Sequence, residues 1–344
     1  MDRITVKQKG GEKLNKSEIE GIVAKMRSFV PTIETKVSSD EEIQNAITFI
    51  RYDYPTVFHV GQINYFFDKA TGKAVLKPEY QLTQTEYKIL IDRCRVKLTE
   101  YKNKLLLCKS DYEKELLIHD ELCKNVVYAD EGEHSHSMIG PLLYGKGVCD
   151  GISKTAHELF HLAGVRSHVV GGTARDSKTR TTGPHAWNLV LIDGKWYNLD
   201  ITFDNTISSD EIRYDYFNLS SEAIKTDHTI KPEYEGFLKH CTDNEDYFIK
   251  RGLSFFSVSD AEKQISDSLK GRKEIIYFRL AQSYTEAEKA QLINAFETNI
   301  QKFYSAYKST FSVNDARNVF YWKIAYGGKA SRLFAAILKK FIKA

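Results

Sequence analysis

The stretch Gly147-Val148-Cys149-Asp150-Gly151 decides the fold of the middle of the chain, because it sets a cysteine between glycines directly before a helical pattern. After the cysteine, apolar residues recur at helical spacing as far as Gly164, which has the position of a helix C-cap. We therefore predict that Cys149 lies in the first turn of a helix. Backbone N–H groups in a first turn have no intrahelical partner and could stabilise an oxyanion.

Two strand-like segments follow this helix. The first contains Gly183-Pro184-His185-Ala186-Trp187-Asn188, and the second is Gly194-Lys195-Trp196-Tyr197-Asn198-Leu199-Asp200. Between them, Asp193-Gly194 is a two-residue hairpin signal. Two antiparallel strands joined by this turn would bring His185 and Asp200 side by side, facing the start of the helix.

Cysteine, histidine and aspartate in this order supply a nucleophile, a base and a group that orients the base. A thiol is a weak nucleophile until it ionises, and both a helix N-terminus and a neighbouring imidazolium favour the thiolate. The sequence thus predicts a thiol enzyme that uses Cys149, His185 and Asp200. Asp193 and Asp204 lie nearby and are alternatives for the third position.

The same residue types also have ordinary structural explanations. A cysteine in an intracellular protein is commonly a small buried apolar residue, and a histidine can be satisfied by hydrogen bonds within a core. We expect this structural role for the other cysteines, which are Cys94, Cys108, Cys123 and Cys241. Trp187 and Asn188 are expected to support the site rather than react, with Trp187 packed beside the imidazole of His185.

These segments resemble the core of the transglutaminase-like superfamily, in its bacterial branch. The resemblance covers roughly residues 110–230, about a third of the chain. It implies a papain-like α+β core with Cys149 as nucleophile, His185 as base and Asp200 as orienting group. Tyr144 and Gly147 are further candidates for substrate binding or site support. The family includes transglutaminases, cysteine peptidases, peptide amidases and members without catalysis. The resemblance therefore implies the catalytic residues but not the substrate.

A competing signal lies in the same helix. His157-Glu158-Leu159-Phe160-His161 matches H-E-x-x-H, in which two histidines bind zinc and the glutamate is a base. At about 100° per residue, however, both histidines fall away from the apolar stripe of the helix. We therefore interpret them as a solvated face and expect no metal. The preceding His134-Ser135-His136 is likewise interpreted as a solvated loop, which could otherwise line the cleft or bind metal.

Composition limits the remaining classes of function. The 344 residues carry a net charge of +3 from 49 basic and 46 acidic side chains, which does not suggest nucleic-acid binding. Five irregularly spaced cysteines do not form a disulfide framework. No apolar run has the length of a membrane span, and the N-terminus lacks a signal-peptide core. We expect a cytoplasmic protein that needs no cofactor and acts on a protein or peptide, although a mature secreted form would look the same.

The pattern along the chain predicts three modules: an N-terminal α+β module over 1–82, a catalytic core over 83–242 and a C-terminal α/β module over 243–344. The first holds helices near 16–29 and 40–52 and a hairpin around Ala70-Thr71-Gly72. Long helices are predicted over 84–107 and 111–127. The last module reads as helix 259–270, strand 273–279, helix 284–306, strand 317–325 and helix 330–343.

The sequence therefore predicts acyl transfer through a thioester at Cys149, on a peptide or glutamine-type amide. Water as the acceptor gives a peptidase or amidase, and this hydrolytic outcome is favoured because no second, amine-binding site can be identified. A lysine amine as the acceptor would give a protein-crosslinking transglutaminase. A non-catalytic binding module with the same fold is the alternative from another class.

Overall fold

The computed structural model describes residues 14, 16–37, 39–176, 179–207, 211–234, 241 and 246–327. The chain divides into two compact units, Met1–Asp243 and Asn244–Ala344. The first unit contains both the predicted N-terminal module and the predicted core. The division of this unit between residues 82 and 83 stays a prediction.

The first unit begins with an α+β layer. Its elements are α1 (Lys16–Arg27), β1 (Ile33–Lys36), α2 (Asp40–Asp53), β2 (Val60–Asp68) and β3 (Lys73–Tyr80). The strands form an antiparallel sheet in the order β1-β3-β2. Ser39 caps α2 by accepting the Glu42 N–H. Apolar side chains of α1 and α2 pack against the sheet to form one core.

Helices then lead into the central sheet. The elements are α3 (Gln84–Leu105), α4 (Asp111–Asn125), β4 (Val127–Tyr128), a π-helical turn (Gly140–Tyr144), β5 (Lys146–Gly147), α5 (Cys149–Leu162), β6 (Ser167–Arg175), β7 (Thr182–Ile192), β8 (Lys195–Leu199), α6 (Ile201–Ile207), α7 (Ser221–Ile224) and β9 (His228–Ile230). The central sheet has the antiparallel order β8-β7-β6-β9. The buried stripe of α5 packs on β6 and β7.

The predicted α+β class is confirmed, and so are the elements that carry the motifs. The helix begins at Cys149, Gly164 follows its end with φ +74°, and the Asp193-Gly194 turn joins β7 to β8. The strands β6 and β9 had no counterpart in the sequence prediction. Gly171 and Gly172 interrupt the apolar pattern of β6, and β9 is only three residues long.

Asp53, the last residue of α2, joins the N-terminal layer to the central sheet. Its Oδ2 accepts a hydrogen bond from His168 Nδ1 at 2.7 Å, and its Oδ1 accepts the Val169 N–H at 3.2 Å. His157 on α5 also donates through Nε2 to the Asp53 carbonyl at 3.2 Å. The prediction of a solvated face is therefore wrong for His157, whose side chain is 12% exposed, whereas His161 is exposed. The side of α5 that carries His157 is therefore covered by the N-terminal layer, whereas His161 stays exposed.

The second unit is described by itself. Its elements are α8 (Tyr247–Lys250), β10 (Ser254–Phe255), α9 (Val258–Lys270), β11 (Ile275–Leu280), α10 (Glu286–Phe303), β12 (Tyr307–Asn314) and β13 (Val319–Tyr326). The sheet order is β10-β11-β13-β12, with β10 and β11 parallel and the other pairs antiparallel. The predicted helix–strand–helix–strand order is found, and β10 and β12 are additional strands. The helix predicted over 330–343 lies outside the described residues.

Of the helices in the described ranges, none combines the length and the apolar character that a bilayer-spanning segment requires.

We expect Asp53→Ala to lower the free energy of unfolding of the first unit by about 2–4 kcal/mol, because it leaves a buried N–H and a buried imidazole without an acceptor. The change can be measured by urea titration with hydrogen-exchange mass spectrometry of peptides from this unit. Asp92→Ala is the control, because Asp92 forms an exposed pair with Arg95 and should cost less than about 0.5 kcal/mol. Equal effects of the two variants would contradict the assigned role of Asp53.

Candidate active site

The site is built on the start of α5. Cys149 is the first helical residue, and Val148 before it has the extended backbone of an N-cap, with φ −106° and ψ −177°. Valine has no polar atom in its side chain, so it cannot cap the helix as serine or aspartate would. The helix thus begins at the cysteine with its first-turn N–H groups uncapped by the N-cap residue.

The segment 134–136 packs against this helix start. Ser135 is buried, and its carbonyl accepts the Val148 N–H at 3.1 Å. His136 has an exposed side chain, but its Nδ1 lies 2.9 Å from Asp150 Oδ1. The prediction of a solvated loop is therefore wrong for Ser135. This carbonyl lies so close to α5 that a Cβ on Gly151 would come within 2.2 Å of it.

His185 and Asp200 meet as the hairpin predicts. His185 Nε2 donates to Asp200 Oδ2 at 2.7 Å, and the Phe203 N–H donates to Asp200 Oδ1 at 3.1 Å. Asp200 is fully buried, and the His185 side chain is 7% exposed. Cys149 lies close enough to His185 to raise the pKa of its imidazole. Because Asp200 occupies Nε2, the ring nitrogen left for the thiol is Nδ1.

The other two aspartates are engaged elsewhere. Asp193 is in the hairpin turn with φ 49°. Asp204 is buried on α6, where its Oδ2 lies 3.1 Å from Nε2 of His119 on α4. The geometry therefore favours Asp200 for the third position, and the Asp204–His119 bond holds α4 against α6.

His185 and Asp200 perturb each other's pKa strongly. Burial lowers the pKa of His185, but the charge and hydrogen bond of Asp200, together with Cys149, raise it to about 10. Burial raises the pKa of the Asp200 carboxyl, but hydrogen bonds from His185 and His228 hold it well below its usual range. At neutral pH the site thus contains a cationic imidazole beside a buried carboxylate.

The expected supporting residues join the sheet to the helix. Trp187 lies beside His185 with ring centroids 6.2 Å apart and planes at 19°, as predicted, and its indole N–H donates to Asn198 Oδ1 at 3.0 Å. Asn188 Nδ2 donates to the Ser153 carbonyl on α5 at 3.0 Å. Ser153 Oγ in turn donates to the Ala186 carbonyl at 3.1 Å. These bonds fix β7, and with it His185, relative to the helix that carries the cysteine.

The remaining two candidates differ in their surroundings. Gly147 pairs with Tyr128 in the short β4–β5 ladder, two residues before Cys149. Tyr144 is 49% exposed; it stacks on His134 with centroids 6.0 Å apart and accepts a hydrogen bond from Arg93 at 3.2 Å. Its contacts thus belong to the preceding loop and α3 rather than to the triad. A substrate-binding role for Tyr144 and Gly147 stays a prediction.

A second histidine at the site has no role in the sequence interpretation. His228 is buried at the start of β9 and donates through Nε2 to Asp200 Oδ2 at 2.9 Å, while its Nδ1 lies 2.7 Å from Asp227 Oδ1. His228 lies within residues 110–230, the range that carries the family resemblance, but nothing in its spacing from Asp200 indicated contact. Only the tertiary fold shows this contact, because it joins two residues that are 28 positions apart in the sequence.

Metal binding was considered for two sets of residues. Nε2 of His185, Nε2 of His228 and a carboxylate oxygen of Asp200 lie within 4.8 Å of one another, which is a possible donor set. Their separations of 2.7 and 2.9 Å from the same oxygen, however, are those of hydrogen bonds. In the H-E-x-x-H segment, both ring nitrogens of His157 are engaged, by Ser167 at 2.9 Å and by Asp53. The nitrogens of His185, His228 and His157 named here are thus already engaged in hydrogen bonds.

Comparison with known proteins agrees with the motif analysis. Residues 100–201 match the family model of the transglutaminase-like superfamily, which confirms the resemblance for this segment. No curated protein shows significant similarity to the chain. The transglutaminase-like core is therefore the class to which this part of the chain is related.

Solved structures give weaker likenesses. A candidate cysteine protease from Cytophaga hutchinsonii is 16% identical, with a TM-score of 0.29, over 41% of this chain and 61% of that one. A TGase structure is 14% identical, with a TM-score of 0.30, over 53% of each chain. The periplasmic domain of TgpA from Pseudomonas aeruginosa, bound to ethylmercury, is 12% identical, with a TM-score of 0.26, over 42% of this chain and 64% of that one. The chain covers less than two thirds of each of these structures.

We expect Gly151→Ala to lower the free energy of unfolding of the first unit by about 1–3 kcal/mol, because the new methyl group overlaps the Ser135 carbonyl. Gly21→Ala is the matched control: it also lies within a helix, but nothing lies within 4 Å of its added Cβ. Alanine there should stabilise the helix by about 0.5–1 kcal/mol. Opposite signs in urea unfolding are expected, and stabilisation by both variants would contradict the packing of Ser135 on α5.

Proposed function

We propose that the chain is a cysteine-dependent acyl-transfer enzyme that cleaves peptide or glutamine-type amide bonds through a thioester at Cys149. Cys149 is the nucleophile, His185 the acid and base, and Asp200 the group that orients His185. The observation that carries the proposal is the His185–Asp200 hydrogen bond beside Cys149, which begins α5 and raises the pKa of His185. The family match over residues 100–201 supports the same class of chemistry.

In the first half of the reaction, Cys149 Sγ attacks the substrate carbonyl carbon and forms a C–S bond. Negative charge then develops on the carbonyl oxygen, and we assign its stabilisation to the first-turn N–H groups of α5, which begins at Cys149. When the C–N bond breaks, His185 gives its proton to the departing nitrogen. An amine or ammonia leaves, and the acyl group stays on Cys149 as a thioester.

In the second half, the acceptor adds to the thioester. If the acceptor is water, His185 takes one of its protons, a carboxylic acid leaves and the C–S bond breaks, which restores the starting pair. If the acceptor is a lysine amine, the same steps give an isopeptide bond. We favour hydrolysis because the sequence shows no second site for an amine.

Two alternatives are less well supported. A zinc peptidase would need both histidines of the H-E-x-x-H segment, but His157 is committed to Ser167 and Asp53. A non-catalytic binding module would have no need for the buried Asp200 carboxylate, which raises the pKa of the His185 imidazole beside the Cys149 thiol. The experiments below separate the non-catalytic module from the enzyme.

We expect iodoacetamide at pH 7 to alkylate Cys149 at least about tenfold faster than Cys108, because Cys149, unlike Cys108, faces a cationic imidazole. Cys108 is the internal control: it is also partly exposed, but burial and Glu113 raise its pKa. Peptide mass spectrometry gives both rates in one sample. Uniform slow labelling would favour the non-catalytic module.

Asp200→Asn should change the pH dependence of this alkylation. Without the carboxylate charge, burial dominates, and the pKa of His185 should fall from about 10 to below neutrality. The ring is then neutral at pH 7, and Cys149 alkylation there should slow by roughly tenfold or more. At pH 10 the two proteins should react at similar rates, because the thiol no longer needs the imidazolium. A loss that is independent of pH would indicate misfolding instead.

Mixing the protein with peptide and glutamine-amide libraries should yield a Cys149 acyl-enzyme, detected as an added mass on the cysteine peptide. Cys149→Ala should show none. Release of free acid identifies a hydrolase, and transfer to added lysine analogues identifies a transglutaminase. Failure to trap any acyl group, despite fast alkylation, would contradict acyl transfer on these substrates.

A further inference from the structure

The carboxylate of Asp200 is held from two sides by two histidines. His185 Nε2 lies 2.7 Å from Asp200 Oδ2, and His228 Nε2 lies 2.9 Å from the same oxygen. The other oxygen accepts the Phe203 N–H. Three donors therefore fix the orientation of the carboxylate, and His228 is the one that the triad does not include.

The protonation state of His228 follows from its neighbours. Its Nε2 faces Asp200, and its Nδ1 lies 2.7 Å from Asp227 Oδ1. A neutral imidazole has one donor nitrogen and one acceptor nitrogen, and an acceptor cannot bond to a carboxylate oxygen. Both nitrogens therefore carry a proton, and His228 is an imidazolium between two carboxylates. Burial lowers its pKa, but the hydrogen bonds to Asp200 and Asp227 raise it above the usual value.

The network ends in a hydroxyl group. Tyr216 donates to Asp227 Oδ2 at 2.5 Å, so Asp227 is itself held in place. The remaining faces of His228 are covered by rings of Trp187 at 5.0 Å and Phe203 at 4.9 Å between centroids. The titratable groups in contact with the His228 ring are thus Asp200, Asp227, Tyr216 and His185, the last at 5.4 Å.

This arrangement has a consequence for the His185 base. A buried carboxylate bound only to His185 would hold the imidazole proton strongly, which opposes its transfer to a leaving group. The charge of His228 offsets part of the Asp200 charge while its N–H keeps the carboxylate aimed at His185. We propose that His228, held as a cation by Asp227, is a positioning residue that orients Asp200 for the His185–Cys149 pair. The catalytic part of this inference rests on the proposed function.

The test uses the full chain with His228→Gln and His228→Leu. Glutamine can still donate one N–H to Asp200, whereas leucine cannot. The His228→Gln variant should therefore keep the hydrogen bond that the His228→Leu variant loses. We expect alkylation of Cys149 at pH 7 to fall about tenfold in His228→Leu and less than about threefold in His228→Gln. His59→Gln is the matched control, because His59 is also buried in the first unit and its Nε2 donates to the Met26 carbonyl at 3.0 Å. Its alkylation rate should equal that of the wild type.

The charge of His228 is tested separately by ¹⁵N NMR of the imidazole rings. In the wild type both His228 nitrogens should be protonated at pH 7. In Asp227→Asn an acceptor remains but its charge is lost, so His228 should release its second proton at a lower pH than in the wild type. This measurement does not depend on substrate or on the His228→Leu variant being folded.

Several results would overturn the inference: a neutral His228 ring in the wild type at pH 7, no loss of alkylation in a folded His228→Leu variant, or equal losses in the glutamine and leucine variants. Slow alkylation of Cys149 in the wild type would instead refute the proposed function. In that case the NMR result would still decide whether His228 is held as a cation.

Discussion

The buried carboxylate of Asp200 is the interaction on which the rest of the site depends. Moving a carboxylate out of water costs several kcal/mol, which must be offset by hydrogen bonds and opposite charge. Here the backbone of α6 and two imidazoles supply both. Because a half-satisfied network of this kind is strongly destabilising, β7, β8, α6 and β9 must all be in register before the carboxylate can be accommodated. Folding of the sheet and assembly of the candidate triad are therefore one event.

The helix that carries the cysteine is held by a different kind of constraint. Its apolar stripe packs on the sheet, while the Asp53 end of α2 covers His157 and the Ser135 carbonyl covers the start of the helix. The close approach of that carbonyl is possible only because residue 151 has no side chain. Gly151 in the quoted motif is thus explained by packing, independently of any catalytic role. Residues 147–151 thus meet a steric requirement at Gly151 and a chemical one at Cys149.

A similar close approach explains how the second histidine reaches the site. A Cβ on Gly172 would lie 2.1 Å from the Thr229 carbonyl, so a side chain at this position would separate β6 from β9. Gly172, which weakens the strand signal of β6 in the sequence, is therefore the residue that allows β9 to pair with it. This pairing sets His228 against Asp200. The features that weaken a local strand signal here serve the tertiary contact.

The sequence by itself determined the elements whose signals are local. The helix start at Cys149, the Asp193-Gly194 hairpin and hence the neighbouring positions of His185 and Asp200 all follow from short-range backbone preferences and a two-residue turn. Only the tertiary structure decided which buried polar groups meet: His228 on Asp200, and Asp53 against the helix face that was expected to be solvated. Such contacts depend on burial and on pairing between distant segments. A helical wheel reports the polarity of a face, but it does not report whether another layer of the protein covers it.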